Sequence, residues 1–442
     1  MWLKLKNILK IKEAHIEIGG LTVITGENNT GKTTVGKILF SVLKTLNHVR
    51  RLDQAKVELT ISKEMRSLHR MVRFRDRFNP SLEEITETAR DLARGVLEYE
   101  DFKREIVKRL LPAEISPRQA AIFSSSLDNI KRHLDSLNNP EAALKSEFDS
   151  IVKSEFNESL TSFGKTESTI RFHDETTDAS GSEITINITN GATDNVEVWG
   201  YPSIDDVTLI ESPVFLPILN VLRSSSSIAS PSLRKLSTAY FRENVPFHLA
   251  DMAEKLLSAE TIEDTLFFDK EKWGTLLSKI TETIDGQIEI DPRTRQLYYV
   301  QKGQRIPILS VASGIKSFGV LQRLIQTDNL SAFNLLIWDE PEIHLHPEWQ
   351  IVFCRLIVEL VAEGIPIVLS THSPYFVQAI RYFAAQKNIE KDVRYYMADE
   401  ADESGLTDIR EVTQDLNEVF KLLATPLHKI MNVDAVRGKD TK

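Results

Sequence analysis

The stretch that decides the fold is residues 26–33, which read GENNTGKT and fit the pattern GxxxxGK[ST]. It follows a predicted strand at Leu21–Thr25 and opens a predicted helix from Lys32 to about Leu46. Glycine lets such a loop curl until its backbone N–H groups converge on phosphate oxygens, and the helix N-terminus adds favourable partial charge. Strand, loop and helix in this order predict a phosphate-binding loop.

The loop also predicts which side chains contact a nucleotide. Lys32 is expected to reach the β- and γ-phosphates, and Thr33 to present its hydroxyl to Mg²⁺. The predicted cofactors are therefore ATP and Mg²⁺. The residues expected to line the nucleotide are Gly26, Glu27, Asn28, Asn29, Thr30, Gly31, Lys32, Thr33 and Thr34.

A second motif is the apolar run at residues 333–340, FNLLIWDE, which has strand length and ends in two carboxylates. This pattern is typical of a buried parallel strand with a functional carboxyl end. Asp339 is expected to hold Mg²⁺ through water, and Glu340 to polarise the water that attacks the γ-phosphate. The alternative is a strand that ends in solvated acids, and the phosphate-binding loop favours the functional interpretation.

A third motif, PIVLSTH at residues 366–372, is another apolar strand that ends in a polar turn. Parallel strands bring their carboxyl ends to one edge of a sheet, so His372 is expected beside Glu340. The alternative is a structural histidine. With the other two motifs present, His372 is predicted to contact the γ-phosphate.

The order of these motifs resembles the ABC-type ATPase heads of the SMC/RecF/OLD-like group. Residues 339–347, DEPEIHLHP, are especially similar to the DEPExxLHP block of OLD-like ATPases. The resemblance covers roughly residues 1–46 and 205–380. It implies an α/β P-loop NTPase head with a largely parallel sheet, an antiparallel β subdomain and a helical insertion.

The resemblance also implies a signature helix that begins with a Ser-Gly pair and completes the nucleotide site of a second subunit. Ser313 and Gly314, within VASGIKS at residues 311–317, occupy that place, which implies a homodimer with composite sites. A helix N-terminus is a suitable anion clamp. A plain N-cap is the alternative, and the departure from LSGGQ argues against transport.

The length of 442 residues predicts roughly three domains, and the motifs and periodicity divide the chain into five segments. Helical periodicity fills the first insertion, while strands are expected at Ser168–Phe172, Glu183–Thr189, Asn195–Trp199 and Val207–Phe215. The segments are 1–46 (loop part of the head), 47–165 (helical insertion), 166–232 (β-rich part and linker), 233–380 (remaining motifs) and 381–442 (acidic, helical extension).

Composition limits the possible partners. The net charge of −10 requires any nucleic-acid contact to come from a local patch, and the lone Cys354 excludes a CxxC site. Residues 41–80 carry a net charge of +6, so the run from Arg66 to Arg77 follows a DNA backbone or forms a solvated helix face. No membrane-spanning segment or signal peptide is predicted, and a cytoplasmic location is expected.

Two histidines and an acidic segment leave further alternatives. His344 and His346 have the spacing of metal ligands. The alternative is that they pack in the fold or lie at a dimer interface. Residues 397–418 carry a net charge of −7, which favours an exposed turn or a partner-docking surface over a metal site. The acids considered for that metal site are Asp399, Glu400, Asp402 and Glu403.

Three functions fit these features. The sequence resembles stand-alone heads that act beside a separate nuclease or toxin in bacterial anti-phage systems, because neither a Toprim domain nor a zinc hook is predicted. The alternatives are a RecF- or SMC-like DNA-repair ATPase that acts directly on DNA, and an ATP-binding scaffold with low turnover.

Overall fold

The structure is a computed structural model, and it describes most of the chain. The chain divides into two compact units. The first unit contains Met1–Lys44, Glu155–Asn220 and Pro246–Lys442, and the second contains Thr45–Ser154 and Val221–Val245. The described residues are 1–51, 54–72, 82–93, 96–110, 117–138, 140–157, 159–175, 181–200, 202–211, 216, 245–257, 270–291, 293–400 and 405–431.

A mixed sheet of eleven strands forms the first unit, in the order β6-β5-β4-β1-β2-β14-β13-β3-β12-β11-β7, and a separate hairpin sheet has the order β10-β9-β8. The strands are β1 (Trp2–Ile8), β2 (Ile11–Glu17), β3 (Leu21–Gly26), β4 (Glu167–Asp174), β5 (Ser182–Thr189), β6 (Ala192–Trp199), β7 (Asp206–Ile210), β8 (Gln287–Ile290), β9 (Leu297–Gln301), β10 (Gln304–Pro307), β11 (Asn334–Asp339), β12 (Ile367–Thr371), β13 (Val393–Glu400) and β14 (Thr407–Glu411).

Helices fill the rest of the described chain. They are α1 (Lys32–Arg51), α2 (Gln54–Val72), α3 (Leu82–Ala93), α4 (Tyr99–Leu110), α5 (Pro117–Asn138), α6 (Pro140–Phe156), α7 (Phe247–Leu256), α8 (Lys270–Ile284), α9 (Ser313–Gln326), α10 (Pro347–Ala362), α11 (Pro374–Lys387) and α12 (Asn417–Met431), with short 3₁₀ helices at Ile308–Ser310 and Glu390–Asp392.

The parallel part of the sheet determines where the three sequence motifs at residues 26–33, 333–340 and 366–372 lie. β13, β3, β12, β11 and β7 run parallel, and every residue of β3 and β12 is buried, as expected for strands covered on both faces. The register pairs Asp339 with Ser370 and Thr371 with Thr25. The loop after β3 and the polar ends of β11 and β12 therefore meet at one edge, here called the carboxyl edge.

The antiparallel part alternates buried and accessible residues along β1, β4 and β5, so that one face packs on the core. The predicted α/β class, with an antiparallel β subdomain beside a largely parallel sheet, is confirmed. Strands β8, β9 and β10 pair antiparallel in the smaller sheet.

The second unit is helical in its described residues from α2 to α5. Apolar positions at helical spacing give it its own core. The buried members of that core come from four helices: Val57, Ile61, Met65, Ile85, Ala89, Leu92, Phe102, Ile106, Phe123, Leu127, Ile130 and Leu134.

The predicted helices and strands are wrong in the C-terminal segment and at the end of β7. The sequence predicts a helical segment over 381–442, but Thr407–Glu411 is strand β14 and helix α12 begins only at Asn417. The extension predicted over 381–442 likewise contains β13, whose buried Tyr395–Ala398 segment lies between β3 and β14. Acidic residues at the strand ends concealed these short apolar cores. The strand predicted at Val207–Phe215 ends at Ile210.

Among the described residues, none of the helices is both long and apolar enough to cross a bilayer.

Candidate nucleotide-binding site

The loop between β3 and α1 depends on two glycines. Gly26 has φ +152° and Gly31 has φ +87°, both in the region that side chains rarely adopt. A Cβ at Gly26 would lie 2.5 Å from the Ala398 carbonyl oxygen, and one at Gly31 would lie 2.8 Å from Ile11 Cγ1. The loop therefore needs glycine at both positions for conformation and for space.

Lys32 closes the loop from inside. Its Nζ donates to the carbonyl oxygens of Gly26 (3.0 Å) and Glu27 (2.6 Å), and the residue is buried. Burial lowers the pKa of Lys32, while the negative charges of Glu340 and Asp339 act in the opposite direction. The structure thus places one ammonium group within the field of the acids at the carboxyl edge.

Thr33 and Asp339 lie side by side, as a shared Mg²⁺ site requires. Thr33 Oγ1 donates to Asp339 Oδ2 at 2.6 Å, and Ser370 Oγ donates to Asp339 Oδ1. Burial raises the pKa of Asp339, although both hydrogen bonds lower it. A hydroxyl and a partly buried carboxylate fit Mg²⁺, which prefers oxygen ligands and commonly takes only one or two carboxylates.

Within the described ranges, no group of three His, Cys, Asp or Glu residues could hold a metal ion by itself. An Mg²⁺ ion at Thr33 and Asp339 would therefore have to complete its coordination with phosphate oxygens and water.

Glu340 and His372 meet at the ends of neighbouring strands. His372 Nδ1 lies 3.2 Å from Glu340 Oε1. Glu340 has φ +47°, and its N–H donates to the Ser370 carbonyl oxygen at 3.0 Å, so the backbone turns sharply where β11 ends. This geometry brings the two side chains together, as the parallel order of the strands predicts, and their catalytic roles stay predictions.

Sequence reasoning missed Glu342. Its Oε1 accepts from Thr371 Oγ1 at 2.5 Å and from the His372 N–H at 2.9 Å. Burial raises the pKa of this carboxyl group. The DEPE string contains it, but a carboxylate after a turn gives no sign in sequence that it points inward.

Sequence reasoning also missed a group of four charged side chains, here called the His248 cluster: Lys37, Glu155, Glu211 and His248. Glu211 follows β7 directly, and its charge contributes to the raised pKa of Asp339. In the sequence, Glu211 falls inside the strand predicted at Val207–Phe215. The partners lie far apart along the chain, which hides an ion pair from motif analysis.

Ser313 and Gly314 lie at the start of α9. Ala312 is the N-cap and makes no side-chain cap bond, so the alternative of Ser313 as a plain N-cap is wrong. A Cβ at Gly314 would lie 3.1 Å from the Trp349 ring and 3.4 Å from Leu345 Cδ2. Their predicted contact with a nucleotide of a second subunit stays a prediction.

The remaining candidates do not join this site. His346 Nδ1 accepts from the Glu348 N–H at 3.4 Å and so caps α10, which favours its structural interpretation. Of the basic run, Arg66 lies in α2, whereas residues 73–77 and the Arg70 side chain are outside the described residues. Asp402 and Glu403 are also outside them, while Asp399 and Glu400 are exposed at the end of β13.

Residues 222–377 match the model of the AAA ATPase domain family. The chain is also similar to the Retron Vc95 probable ATPase of Vibrio cholerae serotype O1 biovar El Tor, with 25% identity over 177 residues. That alignment covers 37% of this chain and 34% of the relative, so the chain spans about a third of the relative's length.

Three solved structures are similar to the chain at low identity. A structure of the SmcHead bound to the C-winged helix domain of ScpA has 11% identity, a TM-score of 0.42 and coverage of 94% and 97% of the two chains. The SMC head domain from Thermotoga maritima has 10% identity and a TM-score of 0.38, with coverage of 93% of this chain and 98% of that chain. The third structure is an Smc head domain with an extended coiled coil, bound to the C-terminal domain of ScpA derived from Pyrococcus furiosus. It has 12% identity and a TM-score of 0.41, with coverage of 96% of this chain and 98% of that chain.

The family match includes the strands that carry Asp339, Glu340 and His372, and the loop at residues 26–33 lies at the same edge of the sheet. Residues 222–377 are therefore similar to the AAA ATPase domain family, and part of the chain is similar to a probable ATPase.

Proposed function

We propose that the chain binds ATP at the carboxyl edge and hydrolyses it with Mg²⁺. One observation carries the proposal: Lys32, the Thr33–Asp339 pair and the Glu340–His372 pair converge there from separate parts of the sequence. An ammonium, a hydroxyl–carboxylate pair that can hold Mg²⁺ and an acid that can position water are groups that enzymes use for phosphoryl transfer.

Each side chain has a role that its contacts support. Mg²⁺ at Thr33 and Asp339 would neutralise charge on the phosphates. Lys32 would exchange its carbonyl partners for phosphate oxygens and stabilise the charge that develops on them. Glu340 would accept a proton from the attacking water, and His372, which is 42% exposed, would contact the γ-phosphate.

We further propose that two copies of the chain form the active unit, because Ser313 and Gly314 begin helix α9 and a helix N-terminus can bind the phosphate of a nucleotide on a second subunit. Closure around ATP would then switch a separate effector, such as a nuclease or toxin. The similarity to a retron-associated ATPase supports a role in anti-phage defence.

Glu340→Gln tests the ATPase proposal. The variant keeps the shape of the side chain but cannot accept the proton, so turnover should fall by about 10²–10⁴-fold. ATP binding should persist, and the ATP-bound dimer should accumulate in light scattering. Glu390→Gln, an exposed position in a 3₁₀ helix, is the matched control and should match the wild-type rate.

Two results would contradict the proposal. Full turnover in Glu340→Gln would remove Glu340 from the reaction. A wild-type protein that binds Mg²⁺-ATP but shows no turnover would instead favour the nucleotide-binding scaffold.

A further inference from the structure

Glu342 is a buried acid at the carboxyl edge for which the ATPase mechanism has no role. The residue is 5% exposed and lies in the turn between β11 and α10. Oε1 accepts two hydrogen bonds from the end of β12, from Thr371 Oγ1 and the His372 N–H. Oε2 is buried and has no hydrogen-bond partner among the described residues. One oxygen of this carboxyl group therefore makes both contacts.

The turn fixes where Glu342 can point. After Glu340 adopts φ +47°, the Ile343 N–H donates to the Glu340 carbonyl oxygen at 3.1 Å, and the Leu345 N–H donates to the Glu342 carbonyl oxygen at 3.0 Å. These two tight turns hold the Glu342 backbone on both sides. The side chain reaches the end of β12 because its own backbone has little freedom to move away.

Glu342 also anchors a wider hydrogen-bond network. Thr371 Oγ1, which donates to Glu342, accepts from the Ser373 N–H at 3.1 Å. Ser373 Oγ donates to Gln350 Oε1 at 3.0 Å and caps α11. The turn that carries His372 is thus held between Glu342 on one side and α10 and α11 on the other.

The His372 ring needs such an anchor. The ring is 42% exposed, so packing does not fix its orientation. Its Nδ1 lies 3.2 Å from Glu340 Oε1 and 3.6 Å from Glu342 Oε1. The same Glu342 oxygen holds the His372 backbone N–H, which places the ring within reach of Glu340.

We propose that Glu342 is a positioning residue that orients His372, and that it needs only one acceptor oxygen to do so. This inference rests on the proposed function of the site. Burial opposes the charged form of Glu342 and raises its pKa, in agreement with a role that does not need the charge.

Substitutions of Glu342 separate the requirement for an oxygen from the requirement for a charge. Glu342→Gln keeps one acceptor oxygen at the same reach, so turnover should stay within about 3-fold of wild type. Glu342→Ala removes the acceptor, and Glu342→Asp withdraws it by one methylene. Both should lower kcat by about 10–100-fold with little change in KM for ATP.

A double variant tests whether Glu342 acts through His372. If it does, Glu342→Ala with His372→Ala should be no slower than His372→Ala alone, because residues that act as a unit are not additive. Thr371→Val, which removes one donor while keeping the side-chain shape, should reproduce part of the loss, and it replaces Glu342→Ala if that variant does not fold.

The imidazole ¹⁵N and ¹³C resonances of His372 give a readout that is independent of turnover. They should move in Glu342→Ala and stay near wild type in Glu342→Gln. The proposal is overturned if Glu342→Gln is folded but as impaired as Glu342→Ala, if the double variant is additive, or if the resonances do not move. Absence of turnover in the wild type would contradict the ATPase proposal, and the resonances would still decide the role of Glu342.

Discussion

The His248 cluster and the carboxyl edge both contain acids, but among the described residues only the first pairs them with a lysine ammonium group. His248 Nδ1 lies 2.8 Å from Glu155 Oε2 and its Nε2 lies 3.3 Å from Glu211 Oε2, while Lys37 Nζ lies 2.7 Å from Glu211 Oε1. Burial acts to raise the pKa of Glu211, yet His248 and Lys37 lower it to about 2. Burial acts to lower the pKa of His248, yet the two acids raise it to about 9.

At the carboxyl edge the pKa values of the acids shift in the opposite direction. Burial raises the pKa of both Asp339 and Glu342, and neither the hydrogen bonds that they accept nor the attraction between Glu342 and His372 offsets it. The difference teaches that acids paired with cations have a stabilising role in the fold. Acids without a lysine partner are suited to bind a ligand that brings positive charge. Asp206 differs from Asp339 in the same way. Burial acts to raise the pKa of Asp206, but Lys255 and Lys44 lower it to about 2.

The largest effect is expected from Asp339→Asn, which removes the carboxylate proposed to hold Mg²⁺. Turnover should fall at least ~100-fold, since the metal ion contributes several kcal/mol of charge stabilisation. The melting temperature without nucleotide should stay level or rise, because a buried charge without a cationic partner is lost. Glu211→Gln is the matched control and should instead lower that temperature. A clear loss of stability in Asp339→Asn would contradict the comparison.

A smaller effect, on stability alone, is expected from His248→Gln. The substitution leaves the buried Glu155 and the partly exposed Glu211 beside Lys37 only, and breaking a buried ion pair such as His248–Glu155 costs about 3–5 kcal/mol. Urea unfolding should measure this loss, with the exposed His15→Gln as control. The folded variant should bind Mg²⁺-ATP as tightly as wild type. An unchanged unfolding midpoint would show that the cluster does not stabilise the head.

The smallest effect is the pH dependence of stability. The pKa of His248 is raised from 6.5 to about 9 in the folded protein, so its contribution is complete below pH 6.5 and is lost as pH rises through 9. Between pH 7 and pH 9 the free energy of unfolding should fall by about 2 kcal/mol. His248→Gln should flatten this slope, and an equal slope in both proteins would remove His248 as its source. Glu211 acts at the other end, where its contribution is lost as pH falls from 4.5 towards about 2.

Much of the carboxyl edge could be predicted from the sequence, because its parts are local patterns. A glycine loop that follows a strand, and apolar strands that end in Asp339, Glu340 and His372, obey short-range rules. Parallel pairing then leaves one place for the strand ends to meet. The boundaries of β7 and the existence of β13 and β14 could not be predicted, because short strands with acidic ends carry a weak periodic signal.

The sequence by itself therefore determined the position of the loop and the order of strand and helix around it, since both follow from residues within a few positions of one another. Only the tertiary structure decided which acids are paired with cations. Glu155, Glu211 and His248 are brought together across 93 residues, and Glu342 turns inward because Glu340 adopts a left-handed backbone. Burial and pairing are properties of that packing, and they give acids of the same kind opposite shifts in pKa.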